Sequence, residues 1–304
     1  MNAFIFPGQG AQFPGMGKDL FENFSVARQI FEEANEVLEF DLAGLCFNGP
    51  EDDLKLTRNT QPAILTMSIA ALRVVEAETG LRPSFAAGHS LGEYSALVCS
   101  GAIDFAAAVK TVRLRGTFMQ EAVPVGVGAM AAILSAEADA LVEICAEAAQ
   151  GEVVAPANFN SPGQIVIAGH ASAVNRAMEI AKEKGYRKAM LLPVSAPFHC
   201  ALMQPAADRL KAVLDGLSYQ KMQLPVVSNV EACANTDCTR VQDLLVKQVC
   251  APVLWEQSVN AMIQSGVTRF IEIGPGKVLS GLVKRISKDV QLANVEDRSS
   301  LALL

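Results

Sequence analysis

"SFAAGHSLGEYSAL" (residues 84–97) decides how the chain is read. SFAAG is a short apolar run closed by glycine, which predicts a buried strand. LGEYSALVCSG (91–101) is mostly apolar and predicts a helix. Between them stands Gly88-His89-Ser90-Leu91-Gly92, a G-x-S-x-G match in a strand-to-helix context. Such a turn pushes the serine hydroxyl out of the sheet, and its glycines let neighbouring backbone come close. The helix start offers free N–H groups and a positive dipole end, suited to a developing oxyanion. Ser90 is the candidate nucleophile; the plainer alternative is a serine that only caps a helix.

Working outward, AFIF (3–6) predicts a second buried strand, stopped by PGQG, with helical patterns to about residue 40. Residues 59–80 predict a long helix, with Asn59 or Thr60 as cap, Pro62 near its first turn and Gly80 at its end. Residues 104–122 predict another, capped by Asp104. From about 125 to 194 the rhythm becomes β-α-β-β-α-β. GAMAAIL, EVVAPAN, GQIVIAG and RKAMLLPV are the strands, FNSPG is the turn of the central hairpin, and the order is that of a ferredoxin-like unit. Beyond 200, LPVVSN (224–229) and TRFIEIG (268–274) are strand candidates, and the tail after about 293 carries no strong signal.

The bulk numbers restrict the function classes. With 304 residues and 51% hydrophobic content, the chain can bury a large core. A net charge of -7 argues against a nucleic-acid binder. The seven cysteines form no CxxC pair and have no histidine set to complete a metal site. They read as reduced, mostly buried thiols, which points to the cytoplasm. The start has no basic region before its apolar residues, so it does not read as a signal peptide. The uncharged run 122–136 is too short to span a bilayer, so no membrane association is expected.

A serine nucleophile needs a base. Of three histidines, His89 adjoins Ser90 and needs a sharp reversal to reach it, and His170 reads as an exposed loop residue. His199, in VSAPFHC (194–200), lies where the chain leaves the inserted unit and returns to the main sheet. It is the best candidate. A hydrolase triad also needs an acid, but Asp104 and Asp139 both read as helix starts. About 105 residues follow His199, too many for a hydrolase histidine near a domain's end.

Several stretches together resemble one family, the malonyl-CoA:acyl-carrier-protein transacylases of dissociated fatty-acid synthesis. They are FPGQGAQ, NTQPA, GHSLGEYSAL, RGTFMQEAVP, NFNSPGQIVIAG, PVSAPFHCALM and EIGPGKVLSGL, in order along nearly the whole chain. The resemblance implies a large α/β-hydrolase-like subdomain with a parallel sheet (1–124 and 195–304), interrupted by the small ferredoxin-like one (125–194). It implies ping-pong transfer of malonyl from malonyl-CoA through Ser90 to the phosphopantetheine thiol of acyl carrier protein. His199 is then base and acid, and backbone N–H groups of Gln9 and Leu91 form the oxyanion hole. The backbone carbonyl of Gln248 orients His199 in place of a triad acid, and Arg115 grips the malonyl carboxylate. The helix of Arg115 brings Met119 near the pocket, and Gln61, Asn160 and Gln164 occupy motifs near the acyl or coenzyme side, although Asn160 and Gln164 also suit a turn. Lys188 matches a basic position for coenzyme phosphate. No cofactor and no metal are expected.

Phe198 stands where polyketide relatives that load malonyl often carry Phe, and those that load methylmalonyl often carry Ser. A ring there leaves no room for a methyl branch. Carrier proteins are generally acidic, as is this chain, so docking calls for a local basic patch: Lys182, Lys184, Arg187 and Lys188, or Lys277, Lys284, Arg285 and Lys288. Two other readings use the same residues: a stand-alone acyltransferase of a polyketide assembly line, and a serine thioesterase or esterase. A non-catalytic carrier-binding scaffold leaves Ser90, His199, Arg115 and Gln9 unexplained.

Overall fold

Strand β1 (Asn2–Phe6) holds the expected AFIF run, and its residues 3–6 are fully buried because the sheet is covered on both faces. The computed structural model describes residues 1–194 and 196–304. Among them the remaining strands are β2 (Phe85–Gly88), β3 (Gly128–Leu134), β4 (Val154–Ser161), β5 (Gln164–His170), β6 (Ala189–Leu191), β7 (Val226–Val227), β8 (Ala234–Asn235), β9 (Arg269–Ile273) and β10 (Gln291–Val295).

Six strands form the large sheet in the order β10-β9-β1-β2-β7-β8. Every pairing is parallel except that of β8 with β7. The strand order reverses around β1, so a crevice opens at the carboxyl ends of β1 and its neighbours. Phe6 and Gly88 are paired there, and both chains turn away into glycine-rich loops. The site is built on those two loops.

The small sheet has the order β4-β5-β3-β6, all antiparallel, with helices Ala138–Ala149 and Ala171–Glu183 between its strands. This is the ferredoxin-like order. Period-two alternation gives the sheet two buried faces. Ala131, Ile133, Ile165 and Ile167 pack in a core with Leu141, Ile144 and Val174 of the two helices. Met130, Ala132, Val166 and Ala168 turn the other way and join the core of the large sheet. Beyond that face, the small sheet is stitched to the segment after helix Val241–Cys250. The Phe159 N–H donates to the Val253 carbonyl (2.9 Å) and the Val253 N–H to that of Ala157 (2.9 Å).

Several boundaries differ from expectation. The long helix is Thr57–Thr79, two residues earlier at its start, and Leu56 precedes it without a side-chain cap. Asn59 and Thr60 instead donate to the carbonyls of Asp53 (2.7 Å) and Leu54 (2.6 Å), tying the helix to the preceding turn. Gly80, in the left-handed region, ends it, and Asp104 caps helix Phe105–Glu121 through the N–H groups of Ala106 and Ala107. The central hairpin turns on Pro162-Gly163 alone, so Asn160 and Gln164 are strand residues rather than turn residues. The tail is structured too: β10 pairs with β9, and a capped turn, Arg298–Leu301, follows. His170 is not a loop residue; it ends β5, and its Nδ1 accepts from the Val153 N–H (2.9 Å). All seven cysteines are free, but only Cys46, Cys145 and Cys200 are buried, so the thiols are less covered than expected. The expected return to the large unit at residue 195 lies outside the described residues.

Candidate active site

Ser90 sits between β2 and helix Gly92–Cys99 with φ of 50°, the strained left-handed conformation of a nucleophile elbow. The two motif glycines are required by space. A Cβ on Gly88 would lie 1.9 Å from the Gly92 carbonyl carbon, and one on Gly92 would lie 2.1 Å from the Phe6 carbonyl oxygen. Asn229, just past β7, holds the elbow from both sides. Its Oδ1 accepts from the Ser90 N–H (2.7 Å) and its Nδ2 donates to the Gly88 carbonyl (2.7 Å).

His199 also has positive φ, 61°, and is buried. Its Nε2 lies 2.7 Å from Ser90 Oγ, and its Nδ1 lies 2.8 Å from the backbone carbonyl of Gln248. A carbonyl only accepts, so Nδ1 carries the proton and the Nε2 lone pair faces the hydroxyl. Burial, reinforced by the charge of Arg115, lowers the imidazole pKa to about 3. His199 is therefore neutral at rest and able to take a proton.

Arg115 projects from helix Phe105–Glu121 and is 1% exposed. Its Nη1 donates to Gln61 Oε1 (2.8 Å); its Nη2 donates to Gln248 Oε1 (2.9 Å) and to Ser90 Oγ (3.2 Å). Among the described residues no carboxylate pairs with it directly, and its buried Nε has no partner. A buried guanidinium with an orphaned donor beside the Ser90 hydroxyl is suited to receive an anionic ligand. Arg113 is committed elsewhere. Pro62 has no N–H for the Arg58 carbonyl one turn back, and Arg113 Nη1 takes that carbonyl instead (2.8 Å).

These groups open on a pocket with a cavity volume of about 120 Å³. Gln9, Gln61, Leu91 and Met119 line it from the large unit. Met130, Asn158, Leu192 and Val194 line it from β3, β4 and the residues after β6, and Phe198 adds its ring next to His199. The N–H groups of Gln9 and Leu91 have no acceptor among the described residues. The Gln9 side chain is held by Thr57 Oγ1 (3.3 Å).

Three of the expected binding residues do not line this pocket. Asn160 Oδ1 accepts from His89 Nε2 (2.9 Å), which fixes His89 away from Ser90 and against Trp255. Gln164 Oε1 accepts from Arg285 Nη1 (2.5 Å), joining β5 to helix Val278–Ile286. Lys188 is exposed, just before β6. Sequence reasoning missed Asn229 and Glu93. Asn229 ends the strand candidate LPVVSN, at the sheet edge where α/β sites gather. Glu93 is the one charge in an otherwise apolar helix; it is 2% exposed, and burial raises its carboxyl pKa to about 7 against the hydrogen bonds it accepts.

A serine–histidine pair at a strand-to-helix elbow, on a parallel sheet with an inserted antiparallel one, defines an acyl-transfer class of enzyme. The family model described as acyl transferase domain matches residues 3–303, and the chain belongs to that family. It is 51% identical over 302 residues to the malonyl CoA-acyl carrier protein transacylase of Bacillus subtilis (99% of this chain, 95% of that one). Identity to the protein of the same name in Escherichia coli is 49% over 300 residues (99% and 97%). The solved acyl carrier protein S-malonyltransferase of Vibrio cholerae superposes with a TM-score of 0.97 at 52% identity, covering 99% of both chains. A malonyl-transacylase solved with a type II polyketide acyl-carrier protein superposes with a TM-score of 0.97 at 48% identity (99% and 97%).

Proposed function

We propose that this acyltransferase moves the malonyl group of malonyl-CoA to the pantetheine thiol of acyl carrier protein in fatty-acid synthesis, through an ester on Ser90. The reading rests on one observation: Ser90 Oγ lies between His199 Nε2 (2.7 Å) and the buried guanidinium of Arg115 (3.2 Å). The malonyl carboxylate pairs with Arg115, satisfying its orphaned Nε. Ser90 Oγ attacks the thioester carbonyl as its proton passes to His199 Nε2. The N–H groups of Gln9 and Leu91 meet the oxyanion. As the C–S bond breaks, His199 returns the proton to the coenzyme thiolate. The carrier thiol then gives its proton to His199, attacks the ester, and Ser90 leaves with that proton. Gln248 holds the imidazole through its carbonyl. A neutral carbonyl stabilises imidazolium less than a carboxylate does, which an activated thioester tolerates.

No cofactor is needed, because pantetheine arrives on the substrates. The apolar wall of Met119, Met130, Leu192 and Phe198 encloses the methylene between the two malonyl carbonyls. The chain divides into 1–124 with 195–304 and 125–194, and the site lies between the two. The protein works in the cytoplasm; among the described residues no helix is long and apolar enough to cross a membrane. One of two basic clusters, Lys182, Lys184, Arg187 and Lys188 or Lys277, Lys284, Arg285 and Lys288, receives the acidic carrier. A polyketide carrier is the second reading, favoured by the relative solved with one.

Intact-protein mass measurement after mixing with malonyl-CoA tests the chemistry. A malonyl adduct is expected on the wild type, absent in Ser90→Ala and discharged by acyl carrier protein. Rapid discharge to water without a carrier thiol overturns transfer in favour of hydrolysis. Preferential discharge by a polyketide carrier over a fatty-acid carrier selects the second reading.

A further inference from the structure

Glu93 lies one turn beyond Ser90, almost wholly buried, and the mechanism above gives it no task. Its Oε2 accepts two hydrogen bonds, from the Asn229 N–H (3.1 Å) and from Gln248 Nε2 (2.7 Å). Both partners are in the catalytic frame. Asn229 clamps the Ser90 N–H and the Gly88 carbonyl. The Gln248 side chain bridges two buried charges: its Nε2 faces Glu93 while its Oε1 accepts from Arg115 (2.9 Å). Nε2 also donates to the Ser90 carbonyl (2.9 Å), and the backbone carbonyl of the same residue accepts from His199 Nδ1 (2.8 Å). One carboxylate is thus a single residue away from the nucleophile, the base and the carboxylate-binding arginine.

We propose that Glu93 is a positioning residue for the acyl-transfer reaction, acting as the triad acid at one remove: it fixes Gln248 and Asn229, and its negative charge faces Arg115 and the imidazolium that forms on His199. This inference rests on the acyl-transfer reading. A neutral carbonyl stabilises a protonated imidazole weakly, and Arg115 opposes it by like charge. A carboxylate held on the far side of Gln248 offsets both. It also gives Arg115 a counter-charge while no malonyl is bound, with no direct ion pair to break when the substrate arrives.

The charge can be removed without the hydrogen bonds. Both bonds end on one oxygen, so the amide oxygen of Glu93→Gln accepts both. Glu93→Ala loses charge and bonds together. The measurement is the single-turnover rate of Ser90 acylation from pH 5 to 8, with a malonyl thioester of N-acetylcysteamine, which has no phosphate to titrate. His199 is held neutral down to about pH 3, so an acid limb near neutrality belongs to another group. The charged and titratable groups around Glu93 are Arg115 from helix Phe105–Glu121, Tyr94 beside it, and Glu231 in the loop after β7, exposed and paired with Arg240 (2.8 Å). Glu231→Gln is the control.

Wild type and Glu231→Gln are expected to slow about tenfold as pH falls through about 7, the factor expected of one charge at this remove in a partly screened interior. Glu93→Gln is expected to stay at the slow rate at every pH, with KM little changed and kcat reduced. Glu93→Ala is expected to be slower still. A flat wild-type profile overturns the proposal, and so does Glu93→Gln with wild-type rates and acid limb. The wild-type and Glu231→Gln profiles decide the matter even if Glu93→Gln does not fold. Absence of any acyl-enzyme on the wild type defeats the transfer reading instead.

Discussion

Replacing Arg115 by alanine tests the proposed carboxylate grip apart from catalysis. The guanidinium is buried and makes three hydrogen bonds, while its Nε waits unpaired. When malonyl enters, its carboxylate leaves water for a pocket whose remaining lining is largely apolar. Without Arg115 that charge has no partner. Stranding one member of a buried ion pair costs about 3–5 kcal/mol, roughly a 100- to 5,000-fold loss in kcat/KM for malonyl-CoA. Acetyl-CoA has no carboxylate and does not incur this loss. Arg115 also touches Ser90 Oγ and Gln248, so its removal disturbs catalysis for both substrates. The ratio of the two kcat/KM values cancels that shared disturbance. Acyl-enzyme formation on Ser90, timed by rapid quench and intact mass for each thioester, gives the ratio directly. The malonyl-to-acetyl preference is expected to fall by about two powers of ten or more in Arg115→Ala. An unchanged ratio refutes the carboxylate grip, whatever happens to the absolute rates.

Phe198→Ser enlarges the wall next to His199 and is expected to raise methylmalonyl transfer relative to malonyl by about tenfold, the worth of one methyl in an apolar pocket; competition between the two coenzyme A esters reads it, and a constant ratio means the ring only packs. Glu93→Gln is expected to be more stable than wild type at pH 8. Burial raises the Glu93 pKa from 4.5 to about 7, so the carboxyl's favourable protonation in the folded state counts fully below pH 4.5 and is lost as pH rises through about 7. The amide escapes that loss, worth roughly 3 kcal/mol, and melting curves at pH 5 and 8 should show a gap that is much wider at the higher pH. Gly92→Ala is expected to give little folded protein, because its Cβ collides with the Phe6 carbonyl of the central strand; native-like circular dichroism and melting would contradict this.

The elbow was legible because one short window carries all of its physics: an apolar strand, two glycines and a helix start. The inserted sheet was legible for the same reason, as alternation in GAMAAIL and GQIVIAG is local. Its hairpin was misjudged because β4 slips register at Pro156/Asn158 and again at Phe159/Ser161, which blurs the period of two. β10 was missed because an edge strand is only partly buried, and QLANV has little apolar signature. β7 falls inside the expected LPVVSN run, whereas its neighbour β8 is two residues long, too short for any periodicity to mark. The partners of Ser90 are of another kind. Asn229 lies 139 residues away and becomes visible only once β7 is placed beside β2. The Gln248 carbonyl is backbone, so no residue type announces it; family resemblance alone pointed to it. Arg115 and Arg113 looked alike in sequence, and Pro62, fifty residues earlier, separates them by leaving a carbonyl for Arg113 to fill.

The stitch between β4 and Val253 has a mechanical consequence. Val253 lies five residues beyond Gln248, whose carbonyl sets the tilt of the imidazole. Asn160, on the same strand, is latched to His89 at the elbow. Raising the roof of the pocket would therefore drag on both His199 and Ser90. A vault that loses its alignment when it opens is best left shut, and its cargo must come in through a narrow door. A long, thin, flexible tether with a thiol at its tip fits that requirement, because the moving part is then the substrate.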